Sequence, residues 1–212
     1  MLASKMKNMT ENGFEYVDLG LESGTMWATC NVGASKPEDE GLLFQFGRVD
    51  GYKYGDINHR FRSNYLNIHD TGSKYVPVTV SGKVYKGNEI LDLADDAAHI
   101  NMGGAWRMPT KDELEELLNN TIHEVATINR VKGTMFTSNI NAHQLFIPFI
   151  RGCYYNEDWE NWDRSYNIVW SSQVHASYIG NVYNLYCDFH GTTKMYNDSR
   201  SSAFSVRGVF RK

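Results

Sequence analysis

Along the chain, apolar and polar positions alternate at strand spacing in some stretches and recur at helical spacing in only two. In "FEYVDLG", Phe14, Tyr16 and Val17 begin a short strand, Gly20 and "ESG" interrupt it, and "TMWATCNV" resumes, which predicts a β-hairpin. "SKPEDEGLLFQFG" follows, with Ser35 as N-cap and Pro37 and Glu38-Asp39-Glu40 in a first turn, which predicts a short helix. From Gly47 to about Ile90 periodicity is weak. Only "YVPVTVSGKVYKG" alternates, as a hairpin turning at Ser81-Gly82, and the rest reads as long loops. "DLADDAAHI" predicts a short amphipathic helix from Asp92 to Ile100, ending at Gly103-Gly104. A second helix starts after Pro109, where Thr110 and Glu113 form a capping box and Leu114, Leu117 and Leu118 supply the buried stripe. Beyond residue 131 only short strands are visible, in "GTMFTS", "QLFIPFIRG", "NIVWSSQV", "NVYNLYCDF" and "AFSVRGVFR". Helices followed by a run of strands predict an α+β fold. Residues 1–13 are polar and patternless and read as a disordered leader. With no internal repeat or low-complexity linker, residues 14–212 read as a single domain.

Composition narrows the function classes. With 42% hydrophobic and 22% charged residues, the chain resembles ordinary globular proteins able to bury a substantial core. A net charge of −4 gives no footprint for nucleic acid. No apolar run approaches the roughly 18 residues that cross a bilayer, so direct membrane insertion is not expected. The start "MLASKMKNMTENGFEY" lacks the apolar stretch and small-residue cleavage site of a secretory signal. Cys30, Cys153 and Cys187 are odd in number and widely spaced, which argues against a disulfide framework. Buried free thiols are the expected state, with a single Cys153–Cys187 bridge as the alternative.

Candidate chemistry is sparse. Glu157, Asp158, Glu160 and Asp163 offer carboxylates of the kind that hydrolyse glycosides, but nothing beside them supplies a cleft, so they read as solvated loop acids. Asn156 to Asn161 lacks the spacing that wraps calcium. The histidines, at 59, 69, 99, 123, 143, 175 and 190, form no i,i+4 pair, and no two cysteines have zinc-ligand spacing. No nucleophile-elbow or phosphate-loop motif is present, since Gly103-Gly104 lead into Trp106-Arg107. No metal, cofactor or catalytic residue is therefore expected. "GGAWRMPTKDELEELL" reads as structural: Trp106 plugs the core, Arg107 pairs with an acid, and Pro109-Thr110 launch the helix. "VWSS" and "SVRGVF" read as core strands.

Residues 151–200 differ in kind. Tyr, Asn, Ser and Asp fill 22 of these 50 positions, and seven of the 13 tyrosines lie there. Tyr and Trp offer large contact area at low rotamer entropy while Ser, Asn and Asp adapt their hydrogen bonds, as in antibody paratopes.

"GGAWRMPTKDELEELL", with "YVDLGLESGTMWATCNVGASKPEDEG" before it and "VWSS" and "SVRGVF" after, resembles the major paralogous domain (FISUMP type) of surface proteins from gut bacteria. That group is allied to the formylglycine-generating-enzyme-like branch of the C-type lectin fold. The resemblance covers residues 14–212 and implies two helices, a small twisted antiparallel sheet and extensive ordered loops. Formylglycine-generating enzymes use paired cysteines, but Cys187 stands in "LYCDFHG" without a near neighbour. The calcium-binding triplets of sugar-binding lectins are also missing, because Asn161-Trp162-Asp163 has a different order. The variable proteins of diversity-generating retroelements fit better. Adenine-directed mutagenesis of their AAY codons yields Tyr, Asn, Ser and Asp, the bias of residues 151–200.

A non-enzymatic protein is thus expected, binding a protein or glycan on a cell surface from a phage tail tip or bacterial surface. The residues expected to bind are Tyr154, Tyr155, Asn156, Asp158, Trp159, Asn161, Trp162, Tyr166, His175, Tyr178, Asn181, Tyr183, Asn184 and Tyr196. The alternatives are a formylglycine-generating-type or carboxylate-using enzyme and a structural module of a surface or pilus assembly. The sequence leaves the oligomeric state open.

Overall fold

The computed structural model describes residues 9–53, 75, 78–80, 83–85, 87, 89–150, 164–178 and 180–212. Strands β1 (Met9–Glu11), β2 (Phe14–Asp18), β3 (Thr25–Asn31) and β14 (Arg207–Arg211) form an antiparallel sheet in the order β1-β2-β3-β14. A five-stranded sheet runs β12 (Thr193–Ser199), β11 (Asn181–Asp188), β10 (Tyr166–Val174), β13 (Ala203–Ser205) and β4 (Leu43–Gln45). A three-stranded sheet comprises β7 (Thr121–Ile128), β8 (Val131–Ser138) and β9 (Gln144–Pro148), and β5 (Val78–Val80) pairs with β6 (Lys83–Tyr85). The helices are α1 (Ala97–Met102) and α2 (Lys111–Asn119).

This corrects the expected α+β, C-type-lectin-like arrangement of two helices around a small sheet. Strands take 47% of the described residues and helices 12%, so the protein is β-rich. The reason lies in strands that the pattern does not mark, β1, β4, β7 and β12, which extend sheets whose central strands are buried on both faces. In β10, Ile168 and Trp170 enter one core with Trp106, Phe44, Phe204 and Phe210, while Val169 enters a second core with Trp27, Leu114, Phe136 and Leu185. In β3, Met26 and Ala28 belong to the first and Trp27 to the second. β3 and β10 are marked by their apolar residues, whereas β1, β7 and β12 carry few buried ones and become strands through their partners.

Local signals survive where they are strong. Thr110 Oγ1 accepts from Glu113 N and Glu113 Oε2 accepts from Thr110 N at 2.9 Å, completing the predicted capping box. The β2–β3 hairpin and the β5–β6 pairing, with Val80 opposite Lys83, also follow the pattern. The first predicted helix is shorter than expected: Leu93–Asp95 form a 3-10 turn, and buried Asp96 caps α1 by accepting from His99 N at 2.9 Å. No helix follows Ser35. Asp39 N bonds back to Lys36 O and Leu42 N to Val32 O, so the chain reverses after one turn. Gly41, at φ 75°, makes that reversal where an added Cβ would lie 2.5 Å from Val32 O. Met9–Glu11, inside the expected leader, form a strand because β1 pairs with β2 through Glu11↔Phe14.

Gly133 sits in β8 between its two neighbours, where a Cβ would meet Ile147 O at 2.4 Å and Pro148 Cα at 2.7 Å. Both are main-chain atoms that cannot swing away. Gly133→Ala is expected to lower the unfolding free energy by about 1–3 kcal/mol, read from the urea midpoint; an unmoved midpoint contradicts this packing.

Candidate functional site

Tyr154, Tyr155, Asn156, Asp158, Trp159, Asn161 and Trp162 lie outside the described residues, as does Cys153. The other seven candidates lie on β10, β11, β12 and the β10–β11 connection. Residues directly opposed in an antiparallel pair share a face. The register Tyr166↔Asp188, Ile168↔Tyr186 and Trp170↔Asn184, continued by Asn184↔Tyr196 and Tyr186↔Lys194, sorts the side chains. Tyr166, Asn184, Tyr186, Lys194 and Tyr196 share the face of the first core. Asn181 and Tyr183 take the other face.

On the first face, tyrosines line up from the interior to the sheet edge. Tyr166 stacks near-parallel to Tyr186, with centroids 6.0 Å apart and planes at 17°, and Tyr186 lies 6.4 Å from Tyr196. Lys194 Nζ stands 5.5 Å from the Tyr186 centroid and 5.0 Å from that of Tyr196, within cation–π range. Tyr196 keeps 48% of its surface exposed. The Tyr186 phenol is pushed up by burial and by the neighbouring Asp188 carboxylate. Asp188 is held below the usual carboxylate value: burial opposes this, but bonds from Thr192 and His190 outweigh it.

Asn184 does not face solvent. Opposite Trp170 it is fully buried, and its Nδ2 donates to Asp198 Oδ2 at 3.0 Å. Burial, only partly offset by that bond, pushes the Asp198 carboxyl up to about 6. Asn184 therefore anchors β12 to β11 and presents nothing to a ligand.

The second group gathers where β10 turns into β11. A β-bulge between Trp170 and Val174 interrupts the ladder, and Ser171 Oγ bridges it by donating to Tyr183 O at 2.7 Å. His175 N then donates to Asn181 O at 2.8 Å, closing the connection. The His175 ring lies 4.6 Å from Tyr178 and 4.5 Å from Tyr183. Its Nδ1 accepts from Ser177 N at 3.1 Å and Tyr178 N at 3.0 Å, so this nitrogen carries no proton, in keeping with a pKa lowered by burial. Tyr178 is 61% exposed, Lys111 Nζ sits 5.5 Å over the Tyr183 ring, and Asn181 Nδ2 donates to Asn197 Oδ1 at 2.7 Å. The seven described candidates thus divide between two faces of one sheet.

Tyr186 and Lys194 were missed as site residues. The signal was available: counting by two from Tyr196 and from Asn184 reaches both, once β11 and β12 are recognised as strands. Elsewhere, a cleft of about 390 Å³ opens between the β2–β3 hairpin and the Ala34–Pro37 turn, floored by Met102 and edged by the half-buried, free Cys30. None of the candidates borders it. Cys187 is also free and fully buried, and burial pushes its thiol up to about 12. Among the described residues, no three His, Cys, Asp or Glu side chains gather as a metal site.

No family model, curated protein or solved structure matches the chain. Trp106 and Arg107 lie in the segment between the two helices, where Arg107 bridges to Val209 of β14.

Proposed function

We propose that this chain is a non-catalytic binding protein that presents an aromatic, amide-rich surface of β10–β12 to a protein or glycan ligand on a cell surface. The observation that carries the reading is the row Tyr166–Tyr186–Tyr196 with Lys194, running to an exposed sheet edge. Aromatic rings held by strands whose inner residues are locked in two cores lose little entropy on contact, which favours recognition. The Tyr178–His175–Tyr183 cluster adds a second, separate aromatic surface. The scaffold in this reading is the β-rich fold described above. The residue bias at 151–200 further supports a retroelement target displayed on a phage tail tip or bacterial surface.

Binding to glycan arrays and to surface proteins of candidate host cells, read with Tyr196→Ala and Tyr178→Ala, tests this. Both side chains are largely exposed, so stability is expected to change by no more than about 0.5 kcal/mol, while truncation of a contact aromatic weakens binding about tenfold or more. Binding that survives both substitutions overturns the assignment. The retroelement component stands on the flanking DNA, where a template repeat differing at adenines and a reverse transcriptase gene are expected; a locus lacking both refutes it.

A further inference from the structure

β12 is the outer strand of its sheet. It pairs with β11 without a break from Thr193↔Cys187 to Ser199↔Asn181, and among the described residues no strand covers its other side. Apart from Ser202 N donating to Ser199 O, no described backbone bond leaves β12 except toward β11. Proteins usually blunt such an edge with a bulge, a proline or a very short strand. This one is seven residues long, regular and without proline.

Its sequence, Thr193-Lys194-Met195-Tyr196-Asn197-Asp198-Ser199, is chemically self-complementary about Tyr196. Two copies laid antiparallel with a two-fold axis through Tyr196 set Lys194 opposite Asp198 of the second copy, twice. The same operation sets Thr193 against Ser199 and Tyr196 against itself. Opposite charges, paired hydroxyls and paired aromatics directly across a ladder are the stabilising cross-strand combinations. Lys194, Tyr196 and Asp198 lie on one face, since their partners in β11 are Tyr186, Asn184 and Val182, so the pairs meet side by side. Moving the axis by one residue in either direction dissolves both charge pairs.

We propose that the chain forms a two-fold dimer by antiparallel pairing of β12 with β12 of a second copy, joining two five-stranded sheets edge to edge. The interface is isologous and closes on itself, as edge pairing must to avoid open-ended growth. The tyrosine rows of the two copies then meet at the axis. The dimer does not depend on what the surface binds, so a monomer would leave the display reading standing.

Sedimentation equilibrium of the full chain tests it. The unaltered protein is expected to dimerise. Lys194→Asp puts acids opposite acids and Asp198→Lys puts lysines opposite lysines, and each is expected to weaken self-association on the order of 100-fold or more. An equal mixture of the two variants restores both charge pairs and is expected to dimerise within about tenfold of the unaltered protein. Because Asp198 accepts from Asn184, Asp198→Lys risks misfolding. The exposed Tyr196→Cys then provides the second arm. Cysteines facing each other across the axis are expected to form a disulfide-linked dimer under mild oxidation, where the unaltered chain does not. A monomeric unaltered protein, a Lys194→Asp variant that dimerises undiminished, or failure of both the mixture and the cross-link overturns the proposal.

Discussion

Glu113→Gln is expected to remove about 3–5 kcal/mol of stability, the cost of leaving a buried ion pair half-made. The Glu113 side chain is almost fully buried. It accepts from Arg107 Nη1 at 2.7 Å and Nη2 at 2.5 Å, from Arg211 Nε at 3.1 Å, from Thr25 Oγ1 at 3.2 Å and from Thr110 N at 2.9 Å. One carboxylate thus fastens the start of α2, the segment before it, β3 and β14. Gln can still cap α2, but it offers Arg107 no countercharge and turns an amide donor toward a guanidinium. The same group sets an acid dependence. Burial on its own raises the Glu113 pKa, but the Arg107 bonds, the Thr110 amide and the charges of Arg107 and Arg211 outweigh it and bring the value to about 2 from an ordinary 4.5. A folded pKa below the unfolded one means stability that is complete above about pH 4.5 and lost as pH falls toward 2, about 3 kcal/mol in all. Urea midpoints between pH 7 and 2 should therefore fall more steeply for the unaltered chain than for Glu113→Gln. Parallel pH profiles would show that Glu113 is not the group responsible.

Trp170→Ala carries the other large effect, about 3–5 kcal/mol by loss of packing and the cavity left behind. Trp170 is fully buried in β10, the central strand of the five-stranded sheet, with its Nε1 donating to Phe44 O at 2.8 Å and its ring 4.7 Å from Phe204. The substitution also removes the indole bond that ties β10 to β4 across β13. Tyr196, one strand beyond Asn184 on the same face, is expected to tolerate Ala with little change. Denaturation of the two variants side by side measures the gradient from core to edge. A Trp170→Ala midpoint close to that of Tyr196→Ala would mean that the first core does not extend under the tyrosine row.

That gradient also separates what sequence alone makes legible from what it does not. The capping box of α2 is read correctly because Thr110 and Glu113 interact within one turn, and the β2–β3 hairpin because both strands lie close in the chain. The helix expected after Ser35 fails because a bond between Leu42 and Val32, with Gly41 reversing the chain, overrides the local propensity. β7 escapes detection because its outward face carries Ile122, 63% exposed, so polar and apolar residues no longer mark out and in. β12 is polar on both faces and becomes a strand through its partner β11. For the surface, residue type selects Tyr166, Tyr183, Tyr196 and Asn184 alike. Only the register, which sets Asn184 against Trp170, tells a hinge of the interior from a group in contact with water.

The pairing of β3 with β14 has a consequence for how the protein is made. Arg207 in β14 donates to Ala28 O in β3, 179 positions earlier in the chain. At translation speeds of roughly 5–20 residues per second, β3 leaves the ribosome about 10–35 s before the strand that completes its sheet. Throughout that interval Met26 and Trp27, both buried in the finished protein, have no cover from β14. This sheet therefore cannot close until β14 has been made. A nascent chain stalled before residue 207 is expected to hold an open β3 edge, recruiting holdase chaperones that a chain extended through β14 releases.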